Sequence, residues 1–422
     1  MEVFEIEGGK RLSGRIVVSG SKNATTPIIA ATLLTKETCV LKNIPRIEDV
    51  FRMLEIVQSM GATVQWRGEH TVAITARDID PKRADQEVVK RLRSSILLLG
   101  ALASRCDSFF LRQPGGCVIG ARPVGTHIDA LTALGIRIQN RGKGYQVEAR
   151  GRRSATVVLK EFSVTATENA MLLAATLPGT TTIHIAAAEP HVEDLGHFLK
   201  KMGVQIRGLG THTITITGSK QLRGGEHQVI PDHNEAATFL ILGAVTKSPI
   251  TVVHAREDHL RIVLEKLREF GVQFSIHKDE ITVIPAKKLR AVSKIGTLPY
   301  PGIPTDIQAP FGVLATQAEG DTLIFDTMFE GRFNSILELE KMGGRATILN
   351  PHQVVVHGKA ELRGTQIKSY DLRAGAALVI AALLAKGTTR IEDIYQVDRG
   401  YEALEIRLQK IGAKITRAHY TV

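Results

Sequence analysis

One unit recurs six times along this chain and organises all of it. Each copy has an apolar β-type run, a short polar break, an amphipathic helix ending at glycine, and then a second strand. "TCVLKNIPRIEDVFRMLEIVQSMGATVQW" is one copy and "ITVVHAREDHLRIVLEKLREFGVQFSI" is another. The helix-ending glycines are Gly61, Gly135, Gly203, Gly271, Gly343 and Gly412, spaced by 74, 68, 68, 72 and 69 residues. Each follows a periodic apolar face, as a helix stop should. In the fourth copy that face is Leu260, Val263, Leu264 and Leu267, the i, i+3, i+4, i+7 pattern. Upstream of most copies lies a second helical stretch, such as "TENAMLLAATL" or "RAGAALVIAALLA". These are apolar nearly all round and predict buried helices.

A unit of about 70 residues is too long for a solenoid repeat. A doubly wound parallel sheet would need βα pairs with a period of roughly 30 residues, which the glycine spacing contradicts. The expected architecture is therefore α/β, with two domains of three units each. The join near Pro231, where the fourth copy begins, divides residues 22–230 from residues 1–21 plus 231–422.

Composition narrows the function classes. Apolar residues make up 43% and charged residues 23%, as in a globular protein. The three cysteines, Cys39, Cys106 and Cys117, argue against a disulfide framework and for a reducing cytoplasm. The N-terminal segment does not read as a signal peptide, and no apolar run reaches the roughly 18 residues of a membrane span. The net charge of +11 favours an anionic partner. Basic residues are scattered and Trp66 is the only tryptophan, so a phosphorylated metabolite is expected rather than nucleic acid.

Several segments carry chemistry. In "PGGCVIGARP" (114–123) glycines let backbone N–H groups converge on an anion, and Arg122 adds a fixed positive charge beside Cys117. A thiol there is either an activated nucleophile or acid, or a small buried apolar residue. In "VVSGSKNATTP" Lys22 and Asn23 suit an oxyanion-binding turn, or a plain polar one. Asp306 in "YPGIPTDIQAP" stands ahead of a helix, where a carboxylate caps or acts as a base. Arg93, Arg373 and Arg399, taken singly, read as solvated arginines. No cluster has metal-ligand spacing and no dinucleotide fingerprint is present, so no metal and no cofactor are expected.

Together these segments resemble the UDP-N-acetylglucosamine enolpyruvyltransferase family. The matching stretches run in order from residue 19 to residue 402: "SGSKNATTPIIAATLL", "PGGCVIGARPV", "SVTATEN", "GIPTDIQA", "FEGRF", "DLRAGAAL" and "DRGYE". The resemblance implies a two-domain inside-out α/β barrel of six units. It also implies transfer of the enolpyruvyl group of phosphoenolpyruvate to the 3-hydroxyl of a UDP-sugar, an early step in peptidoglycan precursor synthesis. Cys117 matches the proton donor to the phosphoenolpyruvate methylene, and Asp306 the carboxylate beside the attacking hydroxyl. Lys22, Asn23, Arg122 and Arg399 match phosphoenolpyruvate-binding positions, with Lys22 also catalytic. Asn23, Arg93, Arg122, Pro123, Val124, Gly125, Thr126, Ser163, Val164, Thr165, Asp306 and Met328 match nucleotide-sugar positions. The chain departs from the family pattern at Gly125 and Thr126, where Asp and an apolar residue are common, at Thr165, usually Gly, and at His233 and Asn234. Losing one hydrogen-bond acceptor on the nucleotide side costs on the order of 1 kcal/mol. Two alternatives follow: enolpyruvyl transfer to another nucleotide acceptor, or a silent nucleotide-sugar-binding paralogue.

Overall fold

A computed structural model describes residues 2–115, 120 and 122–420. Its described residues form two compact units, one of residues 20–115 and 122–230 and the other of residues 2–19, 120 and 231–420. Each holds three small sheets among the described residues.

The third copy shows the unit's plan. The edge strand Thr156–Val158 leads into the buried helix Val164–Ala174 and then the strand Thr180–His184, which pairs parallel to the first. A parallel pair requires such a crossover. The amphipathic helix Pro190–Lys201 follows, and the hairpin Gln205–Arg207 and Thr213–Thr217 completes a four-stranded sheet. The helix-ending glycines of all six copies have φ between +85° and +111°, the region a side chain disfavours and a helix stop needs.

The buried helices are as apolar as their composition predicts. Every residue from Leu372 to Leu383 in Leu372–Leu384, Arg373 included, is buried. Cores of Leu, Ile, Val and Ala fill both units. No helix among the described residues is long and apolar enough to cross a membrane.

Repeat geometry recurs at positions that share no residue type. Asn43, Ile185, His254 and Asp393, each directly after a core strand, all adopt left-handed φ of 57° to 62°. The next residue is tied to the tip of the following hairpin in three copies. Ile44 N–H donates to His70 O (3.0 Å), Ala186 N–H to His212 O (3.1 Å) and Ala255 N–H to Asp279 O (2.8 Å).

Three sheets borrow strands from remote sequence. Gly14–Val17 pairs parallel with Ile250–Val253, and Glu226–Gln228 with Thr38–Lys42. The N-terminal strand Glu2–Glu7 inserts between Thr388–Glu392 and Lys414–His419, antiparallel to both. The chain's two ends therefore build one sheet.

Candidate active site

The first turns of the buried helices carry most of the residues singled out above. A helix start exposes unpaired N–H groups and a partial positive charge, so it suits anions. Ser21 caps Lys22–Thr32 by accepting from Ala24 N–H, and Lys22 and Asn23 open that helix. Ser163 caps Val164–Ala174 in the same way, which places Val164 and Thr165 in its first turn. Arg93 begins a 3-10 turn that leads into Leu98–Ala103. Asp306 lies in the 3-10 turn Thr305–Ile307 before Gln308–Gln317.

In the unit holding Lys22, the lysine ammonium is 3.4 Å from Asp49 Oδ2, and both side chains are largely buried. Glu168, on the helix that carries Thr165, is 1% exposed. Burial pushes its carboxyl well above the ordinary range, Glu189 adds to that push, and Lys22 partly opposes it. Thr167 Oγ1, next to Glu168, accepts from Ala187 N–H at 3.0 Å and so ties this helix to the segment leading to Glu189.

The nucleotide-sugar candidates of stretches 122–126 and 163–165, with Arg93, lie within the same unit. Arg93 Nη2 donates to Arg122 O at 2.6 Å. Val124 directly precedes the helix Gly125–Ala133, with Pro123 exposed before it. His127 Nε2 lies 2.7 Å from Thr165 Oγ1, so the departure from Gly at 165 supplies a partner that glycine could not. Burial, with Arg93 and Arg122 nearby, lowers the His127 pKa to about 4, so the ring is neutral near pH 7. Thr126 Oγ1 donates to Glu161 Oε1 at 2.7 Å. A Cβ added at Gly125 would meet no heavy atom of the described residues within 4 Å.

In the other unit, Asp306 does not cap its helix. Arg332 Nη2 donates to Asp306 Oδ1 (2.9 Å) and Arg373 Nε to Asp306 Oδ2 (3.4 Å). Arg373 is a correction to the solvated reading: it is 2% exposed, sits 3.3 Å from Asp232 Oδ2 and packs on the Tyr401 ring. Burial works against its charge, and Asp232, then Tyr401 and Asp306, more than offset that, raising its pKa. Asp326 fixes the surrounding loops. It accepts from Thr297 Oγ1 (3.0 Å), Thr305 Oγ1 (2.6 Å) and Met328 N–H (2.9 Å), while Arg332 Nη1 donates to Thr305 Oγ1 (2.9 Å). Met328 itself is 37% exposed. Arg399 is 8% exposed and follows the single helical turn Tyr395–Asp398, with Nη1 donating to Gln396 Oε1 at 3.1 Å. Cys117 lies outside the described residues.

Sequence reasoning missed Arg332, Arg373 as a buried group, Asp49, Glu168 and Asp326. Glu168 had a signal: it is the one charged residue in its helix, Val164–Ala174. The others are defined by partners far away in sequence.

Known proteins resemble this chain along nearly its whole length. The family model for EPSP synthase (3-phosphoshikimate 1-carboxyvinyltransferase) matches residues 6–408. UDP-N-acetylglucosamine 1-carboxyvinyltransferase of Campylobacter hominis is 41% identical over 420 residues, covering 99% of this chain and 100% of that protein. UDP-N-acetylglucosamine 1-carboxyvinyltransferase 1 of Caldanaerobacter subterraneus subsp. tengcongensis is 42% identical over 98% of this chain and 99% of its own length. Among solved structures, the enolpyruvyl transferase NikO from Streptomyces tendae matches with a TM-score of 0.89 and 27% identity, over 99% of each chain. EPSP synthase from Acinetobacter baumannii shares the fold, with a TM-score of 0.73 at 19% identity over 99% of this chain and 100% of that one. With full-length identity at this level, the chain belongs to the UDP-N-acetylglucosamine 1-carboxyvinyltransferase family.

Proposed function

We propose that this enzyme transfers the enolpyruvyl group of phosphoenolpyruvate to the 3-hydroxyl of UDP-N-acetylglucosamine and releases phosphate. The observation that carries the reading is the full-length identity of about two residues in five to enzymes of that name, and Lys22, Cys117, Arg122, Asp306 and Arg399 stand in the segments that resemble the family.

The residues suit the chemistry. Phosphoenolpyruvate is strongly anionic, so converging cations both bind it and stabilise charge. The Cys117 thiol gives its proton to C3 of the enol, whose π electrons form the new C–H bond and leave C2 cationic. The sugar oxygen bonds to C2, and its proton passes to Asp306. The Cys117 thiolate then takes a proton back from C3, and the freed C–H electrons re-form the double bond as phosphate leaves with the electron pair of its C2–O bond. The two guanidiniums on Asp306 favour its charged form and weaken it as a base. Such a carboxylate suits a hydroxyl whose proton is released only as the carbon under attack has become cationic. Acid catalysis at C3 therefore precedes base catalysis at the sugar.

The test is phosphate release from phosphoenolpyruvate with UDP-N-acetylglucosamine, with UMP, UDP-glucose and shikimate-3-phosphate as rival acceptors. Release with UDP-N-acetylglucosamine alone, and a product heavier by one enolpyruvyl group, is expected. Release with a rival acceptor moves the substrate assignment, and no release from folded protein that still binds nucleotide supports the silent paralogue.

A further inference from the structure

Arg399 projects from a short and irregular piece of chain. The helical turn before it, Tyr395–Asp398, has only four residues, too few to hold itself in water. Ala403, four positions on, adopts a left-handed φ of 39°. Something outside this segment must set where Arg399 points.

Three contacts clamp it. A Cβ on Gly400 would stand 2.5 Å from Leu372 Cδ1, so the backbone lies directly against that helix. Tyr401 is 1% exposed, with its hydroxyl 3.1 Å from Thr238 Oγ1. On the other side, Arg417 grips Asp398, the residue immediately before Arg399. Arg417 Nη2 donates to Asp398 Oδ1 at 2.7 Å and Nη1 to Asp398 Oδ2 at 2.9 Å, a two-pronged pair that fixes orientation as well as distance.

Arg417 is itself immobilised. Its Nε donates to Glu405 Oε1 at 2.8 Å and Nη1 also reaches Glu2 Oε2 at 3.1 Å. Its guanidinium lies over the Phe4 ring, 5.0 Å from the centroid. Glu2 and Phe4 belong to the N-terminal strand and Arg417 to the C-terminal strand beside it. One guanidinium thus joins both chain ends and the helix Leu404–Gln409 to the turn that presents Arg399.

We propose that Arg417 is a positioning residue for phosphoenolpyruvate binding, acting through Asp398 to fix the turn from which Arg399 reaches the substrate. The role rests on the assignment of Arg399 to phosphoenolpyruvate in the reading above. Lysine cannot substitute fully, because it lacks the planar two-pronged geometry. Removing Arg417 leaves three carboxylates, Asp398, Glu405 and Glu2, without their shared cation, and the turn shifts.

The test compares Arg417→Ala, Arg417→Lys, Asp398→Asn, the Arg417→Ala/Asp398→Asn double variant and Arg399→Ala, measuring KM for each substrate, kcat and thermal stability. Misplacement by about 1 Å is enough for about a 100-fold loss. Arg417→Ala and Asp398→Asn should each raise KM for phosphoenolpyruvate about 10- to 100-fold and leave KM for UDP-N-acetylglucosamine within about twofold. Arg417→Lys should fall between, and the double variant should be no worse than the worse single one. If Arg417→Ala does not fold, Asp398→Asn decides on the same readout. A fall in thermal stability with KM for phosphoenolpyruvate unchanged, or single effects that multiply in the double variant, overturns the proposal. An Arg399→Ala enzyme with unchanged KM for phosphoenolpyruvate overturns the Arg399 assignment itself, and with it the positioning role.

Discussion

Two acidic side chains, one in each unit, meet opposite surroundings. Asp306 has a guanidinium on each oxygen, from Arg332 and from Arg373. Glu168, the one charged residue of its helix, is fully enclosed, with burial and Glu189 working against its charge and Lys22 only partly compensating. The first environment favours the charged form of a carboxyl, and the second disfavours it. An ionised group can accept the sugar hydroxyl's proton late in the reaction. Raising the Glu168 pKa leaves Asp49, 3.4 Å from the ammonium, as the carboxylate that pairs with Lys22. Side-chain type alone would have given both residues one role.

The largest expected effect is at Asp306. Asp306→Asn keeps the shape and removes the proton acceptor, so kcat should fall by about 10²- to 10⁴-fold, the usual span for a positioned acid or base. Steady-state assays with phosphoenolpyruvate binding measured in parallel would check it. Full turnover in Asp306→Asn would remove Asp306 from the chemistry.

Next is Arg373. Arg373→Met leaves Asp232, 2% exposed, without its buried cation, which should cost about 3–5 kcal/mol of stability in denaturant unfolding. A loss below about 1 kcal/mol would place Arg373 among solvated arginines, as its sequence context alone suggests.

Glu168 gives the smallest effect and the most distinctive one. Its folded pKa is raised above the ordinary value of 4.5, so the folded chain holds the proton more tightly than the unfolded chain. That stability is fully present below the unfolded pKa and is lost as pH rises through the folded one. The slope over that window is up to about 1.4 kcal/mol per pH unit. Glu168→Gln should remove this component, so its unfolding free energy should decline less between pH 5 and pH 8 than the parent's. Parallel slopes would show Glu168 to be ionised.

Much of the fold was legible because its signals are local. A glycine two or three residues past each amphipathic helix stops it in the same left-handed conformation, and a helix apolar on every side is buried wherever it sits. The six-unit α/β class followed from these. Strand exchange was not legible, because the partners of Glu2–Glu7 and Gly14–Val17 lie hundreds of residues away and no local pattern records them. The candidate site divides in the same manner. Lys22, Arg93 and Asp306 stand in recognisable segments at helix starts. Arg332, Arg373 and Asp326 acquire their meaning only from long-range partners, so motif reading left them aside or misjudged them. Position 165 shows both sides: the departure from glycine was visible in sequence, while its bond to His127 needed the fold.

The opposite protonation of these two carboxyls is the centre of the account, and difference infrared spectroscopy near neutral pH tests it most directly. The parent protein should show a protonated-carboxyl stretch that disappears in Glu168→Gln and persists in Asp306→Asn. Loss of that band in Asp306→Asn, with Glu168→Gln unchanged, would contradict it.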